Sequence, residues 1–153
     1  WNEYDHEEVI ERYKPAYKNK VLMKANLAKT LNPRREFQKM FAAAIERWLS
    51  GEYNDEYAET WPQFQQRVLT ALNDLRASMG PSKTAFVFTS GGPISAVAQH
   101  LLCISNDDIF KLNWTLANCG ITKIIYSDNG MYLSSLNEHS AFEGAHQKLI
   151  TYR

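Results

Sequence analysis

Thr84-Ala85-Phe86-Val87-Phe88-Thr89-Ser90-Gly91-Gly92-Pro93-Ile94 is the stretch on which the reading of this chain turns. Ala85 to Phe88 is a short, continuous apolar run, the pattern of a strand buried on both faces. Thr89 to Gly92 reads as a tight turn. Pro93 then opens a helix carrying Ile94, Val97, Ala98, Leu101 and Leu102. A glycine turn between a buried strand and a helix exposes backbone N–H groups, and with the helix dipole they favour an anion. Glycine permits close backbone approach, and Ser90 adds a hydroxyl donor. The same pattern also serves as a tight connection with no ligand. The residues alone leave both readings open.

Upstream of this stretch the chain reads as helix. Asp5 caps a short helix that runs to about Tyr13, with Glu7 and Glu8 at its positive end, and Pro15 interrupts it. A second helix covers Val21 to Lys29, with Val21, Leu22, Ala25 and Ala28 on one side. Asn32-Pro33 is a helix start, and Phe37, Met40, Phe41, Ala44, Ile45, Trp48 and Leu49 recur at helical spacing until Gly51. Glu52 to Glu59 is a loop. Thr60-Trp61-Pro62 repeats the start signal, Phe64, Val68, Leu72, Leu75 and Met79 mark one face, and Gly80-Pro81 ends the helix. Such amphipathic helices need a sheet or other helices to cover.

Downstream, Asn106 caps a helical turn through Phe110. Ile121 to Tyr126 and Met131 to Leu136 form strands around Ser127-Asp128-Asn129-Gly130, where Asn-Gly is a hairpin signal. The tail from Ala141 is helical. Long helices, a buried strand and a terminal hairpin predict an α/β sandwich.

Composition narrows the function classes. The chain has 153 residues, which fits one domain, and a chain of that size buries about 70% of its unfolded surface. Lys plus Arg equals Asp plus Glu at 17 each, so no broad basic surface invites nucleic acid or anionic lipid. No stretch approaches the ~20 apolar residues of a membrane helix, and the N-terminus carries no signal-peptide pattern. Cys103 and Cys119 lack metal-type or CxxC spacing and read as buried thiols in a reducing cytosol. The chain begins at Trp1 rather than Met, so it is expected to have been cut, processed or excerpted.

The Phe86–Ile94 stretch resembles the strand, Ser-His-Gly-Gly and helix segment of branch-one histidine phosphatases. Trp1-Asn2-Glu3-Tyr4-Asp5 is similar to the loop in which that family places an acidic proton donor. Leu112 to Thr122, with Asn118, followed by the hairpin and Asn137-Glu138-His139, looks like the family's C-terminal end. Asn-Glu-Tyr-Asp-His-Glu-Glu, Thr-Ser-Gly-Gly-Pro-Ile and Asn-Trp-Thr-Leu-Ala-Asn, in that order, resemble a bacterial phosphoglycerate-mutase-like subgroup. The resemblance implies a single, partial domain over residues 1–153. Its fold would be the phosphoglycerate-mutase-like three-layer sandwich, incomplete at the N-terminus.

It also implies a chemistry. Family enzymes transfer a phosphoryl group to the histidine of an Arg-His-Gly motif, cradle the phosphate with two arginines and a second histidine, and protonate the leaving oxygen with a carboxylic acid. A neutral imidazole is a good nucleophile toward phosphorus, and fixed cations stabilise the charge on the equatorial oxygens. On this sequence Glu3 matches the proton donor, and Ser90 and Gly91 match the phosphate-binding bend. No metal and no cofactor is implied. The implied partner is a phosphorylated small molecule, with no nucleic acid and no membrane, and the implied location is the cytoplasm.

Two departures stand out. No Arg-His-Gly occurs, since none of the four histidines (His6, His100, His139, His146) follows an arginine or precedes a glycine. Ser90 fills the place of the family's second histidine and supplies no positive charge, a loss worth about 2–4 kcal/mol of transition-state stabilisation. The intact protein is therefore expected to be a phosphatase and residues 1–153 alone to be inactive. The alternative is a non-catalytic module that binds a phosphate ligand or a protein. A serine hydrolase is disfavoured, because Thr-Ser-Gly-Gly is not the Gly-x-Ser-x-Gly elbow. With early strands missing, Phe86-Val87-Phe88 would lack a neighbour, which predicts a homo-oligomer or association with the missing N-terminal segment.

The remaining candidates read more plainly. His6, in Asp5-His6-Glu7-Glu8, belongs to helix-start charges, because consecutive helical positions diverge. His100 is a surface or packing histidine, and His139 lies near the family's C-terminal motif. Asn118 satisfies backbone groups. Trp48, Tyr53, Tyr57 and Trp61 pack over a core or a pocket rim, and Arg34-Arg35 is a solvated face.

Overall fold

The computed structural model describes residues 1–152. Among the described residues, six α-helices and one hairpin make up the regular structure: α1 His6–Tyr13, α2 Lys20–Ala28, α3 Pro33–Ser50, α4 Trp61–Met79, α5 Gly91–Leu102, α6 Asn106–Asn113, β1 Ile121–Ser127 and β2 Gly130–Glu138. Short 3₁₀ turns lie at Pro15–Lys18, Asn54–Glu56, Ser140–Phe142 and Gly144–Leu149. Chain packing defines two compact units, one of Tyr4–Phe64 and one of Trp1–Glu3 with Gln65 onward.

In the Tyr4–Phe64 unit, the local signals act as the sequence predicts. Asp5 Oδ1 accepts from the N–H groups of Glu7 and Glu8, each at 3.0 Å, and starts α1. Asn32 Oδ1 accepts from Arg35 N–H at 3.1 Å to start α3, and Gly51, at φ +75°, ends it. Thr60 and Gln63 form a reciprocal capping box ahead of α4, at 2.8 and 3.4 Å. The core is aromatic. The Trp48 ring lies 4.7 Å from Tyr4, 5.3 Å from Trp61 and 6.0 Å from Phe64. Its indole N–H donates to the Glu59 carbonyl at 2.9 Å, so the polar end of a buried ring is satisfied. Val9, Ile10, Ala44 and Ile45 fill the rest. Arg47 clamps the following loop. It donates to Tyr57 Oη at 2.8 Å and to Glu56 at 2.7 Å and stacks on Tyr53 at 3.8 Å. Trp48, Trp61 and Tyr57 are thus core residues, whereas Tyr53 serves the clamp.

The α2 face behaves differently. The helix forms within one residue of its predicted span, but Val21 (77% exposed), Leu22, Ala25 and Ala28 all face solvent. Sequence periodicity marks this apolar stripe, but in the structure its residues stay exposed.

In the other unit, α5 packs against α6 and β2. Its buried side is Pro93, Ser95, Ala96, Val97, Ala98 and Gln99, joined in the core by Ile109, Phe110, Leu116 and Ala117. Gln99 is buried but satisfied, accepting from Gln65 at 2.6 Å and donating to Asn106 at 2.9 Å. The hairpin pairs antiparallel from Ser127↔Gly130 through Ile124↔Leu133 around the two-residue turn Asp128-Asn129. The pairing then slips between Ile124 and Lys123 and again between Lys123 and Ile121. Asn137, at φ +54°, locks the slipped end. Its side chain accepts from Ala117 N–H and donates to the Thr115 carbonyl, each at 2.8 Å.

Four expectations differ from the structure. Residues 84–88 form no strand. Phe86 is 86% and Phe88 95% exposed, and no described residue hydrogen-bonds the backbone of 84–88. Among the described residues β1 and β2 are the only strands and pair with each other, so this apolar run has no ladder to join. Cys103 and Cys119 are exposed rather than buried. Both occupy left-handed positions, at φ 54° and 62°, in surface turns that follow α5 and precede β1. Finally, Ser105, not Asn106, stands at the N-cap of α6, and α5 begins at Gly91 rather than Pro93.

Candidate functional site

The site is built where α5 begins. Ser90 is its N-cap, with an extended backbone (φ −114°, ψ −179°) and a side chain that makes no capping hydrogen bond. The hydroxyl of this half-buried residue is therefore not spent on its own helix. Gly91 and Gly92 form the first turn, whose N–H groups have no intrahelical acceptors.

One of those donors is used by a residue from the far end of the sequence. Gly92 N–H donates to Glu3 Oε2 at 3.0 Å. The carboxylate therefore lies against the positive end of α5, where a charged acceptor is favoured. Two further contacts fix the opening tripeptide. Thr89 Oγ1 donates to the Trp1 carbonyl at 2.8 Å, and Arg67, on α4, donates to the Asn2 carbonyl at 3.1 Å. Glu3, Ser90, Gly91 and Gly92 all belong to the same compact unit. The bend and the acidic residue chosen from sequence are thus brought together, although more than eighty positions separate them.

Asn113 supports the bend from α6. At the end of that helix it donates to the buried Ser95 hydroxyl at 2.9 Å, and its Nδ2 lies 3.1 Å from where a Cβ on Gly91 would stand. Sequence reading missed Asn113, Arg67 and Gly92. Arg67 sits on a helix whose polar residues look like a solvated face, and no local signal marks it; Asn113 opens the Asn-Trp-Thr-Leu-Ala-Asn motif, but nothing local assigns it the contact with Ser95. Gly92 was read only as part of a turn.

The other candidates fall away from this site. His6 and His100 are exposed on α1 and α5. His139 donates through Nδ1 to the Asn137 carbonyl at 2.6 Å. Asn118 joins the tail: its N–H donates to the Thr151 carbonyl at 2.9 Å and its Nδ2 to the Thr151 hydroxyl at 2.8 Å. Arg34 and Arg35 are exposed. Among the described residues no three of His, Cys, Asp and Glu come together as metal ligands, and no helix is long and apolar enough to cross a membrane.

The bend thus joins a glycine-led helix N-terminus to an acidic side chain within an α/β architecture. Residues 24–139 match the profile of the histidine phosphatase superfamily (branch 1). That span is well over half of the chain, and the chain belongs to this superfamily, with its phosphoglycerate-mutase-like α/β fold. No curated protein and no solved structure matches it.

Proposed function

We propose that the protein is a phosphatase that acts on a phosphorylated small molecule, and that the α5 N-terminus is half of its phosphate pocket. Ser90 and the Gly91 N–H bind phosphate oxygens, and Glu3 is the general acid. The observation that carries this reading is the Glu3 carboxylate held at 3.0 Å by Gly92 N–H, within the first turn of the helix that Ser90 and Gly91 begin. Membership of the superfamily supports it.

The chemistry follows the family resemblance. A histidine from an Arg-His-Gly motif, which residues 1–153 do not contain, attacks phosphorus. The P–O bond to the alcohol breaks, and protonated Glu3 gives its proton to the leaving oxygen. Water then attacks the phosphohistidine, and Glu3 takes back a proton as inorganic phosphate forms. Residues 1–153 alone lack the nucleophile and are inactive. The protein acts in the cytoplasm and needs neither metal nor cofactor.

Ser90 favours a second reading, because a serine brings no positive charge where the family resemblance places a histidine. In that case the domain binds a phosphate ligand or a protein without turnover. The two separate on the intact protein assayed with an aryl phosphate at acid and neutral pH. Hydrolysis together with an acid-labile phosphohistidine supports the phosphatase. Phosphate binding with no hydrolysis supports the binding module.

A further inference from the structure

We infer that Gly92 is the positioning residue of this site: its missing Cβ makes the seat for the Glu3 carboxylate on α5. The inference rests on the reading of Glu3 as proton donor and adds what fixes that acid in place.

Glycine is the poorest ordinary helix former after proline, and Gly92 lies within α5, one residue past its start. A backbone reason for glycine would be a left-handed φ, and Gly92 is not among the residues with positive φ. Alanine would therefore suit the helix better. The reason lies instead in space. A Cβ built on Gly92 would stand 1.7 Å from Glu3 Oε1, 2.7 Å from its Cδ and 3.1 Å from Oε2. The carboxylate occupies the volume that any other residue would fill with its own side chain, and from there it accepts the Gly92 N–H.

Gly91 is different. Its added Cβ would meet Asn113 Nδ2 at 3.1 Å, Leu116 Cδ1 at 3.7 Å and Asn113 Cγ at 3.8 Å, with no atom of Glu3 among these nearest neighbours. Of the two adjacent glycines, Gly92 is the one whose added Cβ would strike the acid. The obstructing atoms at Gly92 are the far end of a flexible side chain, so a methyl there displaces the carboxylate and leaves the helix standing. The backbone of the tripeptide stays tied through Thr89 to Trp1 and Arg67 to Asn2. Gly92→Ala therefore removes the placement of one functional group and little else.

The test is amide NMR on the full 153-residue chain, and it needs no turnover. In the natural background, Glu3→Gln is expected to shift the residue-92 amide resonance, because a charged acceptor becomes a neutral one. With Gly92→Ala, the same Glu3→Gln change is expected to leave the residue-92 amide unmoved. With Gly91→Ala, the shift is expected to persist. The inference is overturned if the Gly92→Ala chain still responds to Glu3→Gln. A Gly92→Ala chain that loses its dispersed spectrum also overturns it, since the glycine is then required by the fold. Coupling lost on Gly92→Ala, with no phosphate hydrolysis by the intact protein, would refute the proton-donor role while upholding the seat.

Discussion

Replacing Glu3 by Gln perturbs the site most sparingly, since it keeps the shape and one acceptor oxygen and removes only the charge. In the natural chain the Gly92 N–H bonds a carboxylate at 3.0 Å at the N-terminus of a twelve-residue helix. A hydrogen bond to a charged group contributes about 1.5–3 kcal/mol and a neutral one about 0.5–1.5. The difference and the helix-dipole term describe the same attraction and are not added. Glu3 is half-buried, so solvent screening trims the difference, and about 1 kcal/mol remains. For a chain of this size that is about 2–4 °C in Tm. Glu3→Ala goes further, leaving the buried Gly92 donor without this acceptor at about 1–3 kcal/mol, and the other contacts of Glu3 add to that loss. Urea denaturation followed by circular dichroism, at low and at about 0.5 M salt, reads both variants. The expected order is natural, then Gln, then Ala, with the natural-to-Gln gap narrowing in high salt. A Gln variant as stable as the natural chain at low salt would refute the electrostatic contact between Glu3 and α5.

Other perturbations test the rest of the structure. Trp48→Ala removes the centre of the aromatic cluster and the indole donor to Glu59, at about 3–5 kcal/mol, measurable by the same denaturation; a cost below about 1 kcal/mol would contradict the packing described. Asn137→Ala deletes both side-chain hydrogen bonds that lock the hairpin end and leaves a left-handed φ, at about 2–4 kcal/mol. Asn137→Gly relieves the backbone strain alone and is expected to fall between the two. The bare segment 84–88, with Phe86 and Phe88 outward, is expected to drive self-association or pairing with a strand from outside residues 1–153. Light scattering should then find dimers or larger species, which Phe86→Lys with Phe88→Lys disperses; a monodisperse natural monomer would end that proposal.

Legibility in the sequence followed the range of the interactions. Asp5, Asn32, Thr60 and Gly51 act within one turn of their own positions, so helix starts and stops could be read directly. The hairpin was equally local, although its slipped end depends on Asn137 meeting the loop at Thr115 and Ala117. Residues 84–88 show the opposite case. Apolar composition marks a stretch that needs partners, but a strand exists only when another supplies its ladder. Cys103 and Cys119 failed as core residues because composition does not reveal a left-handed turn. At the site, Glu3 and Ser90 were legible through resemblance to family motifs. Gly92, Asn113 and Arg67 were not, since each acts through a contact far away in sequence.

Titration of the 153-residue chain with inorganic phosphate, followed by amide NMR, tests the pocket most directly. The account predicts saturable shifts concentrated at Ser90, Gly91 and Gly92, weakened by Ser90→Ala and absent with chloride at equal ionic strength. Shifts that never saturate, or that gather at lysines away from the start of α5, would contradict it.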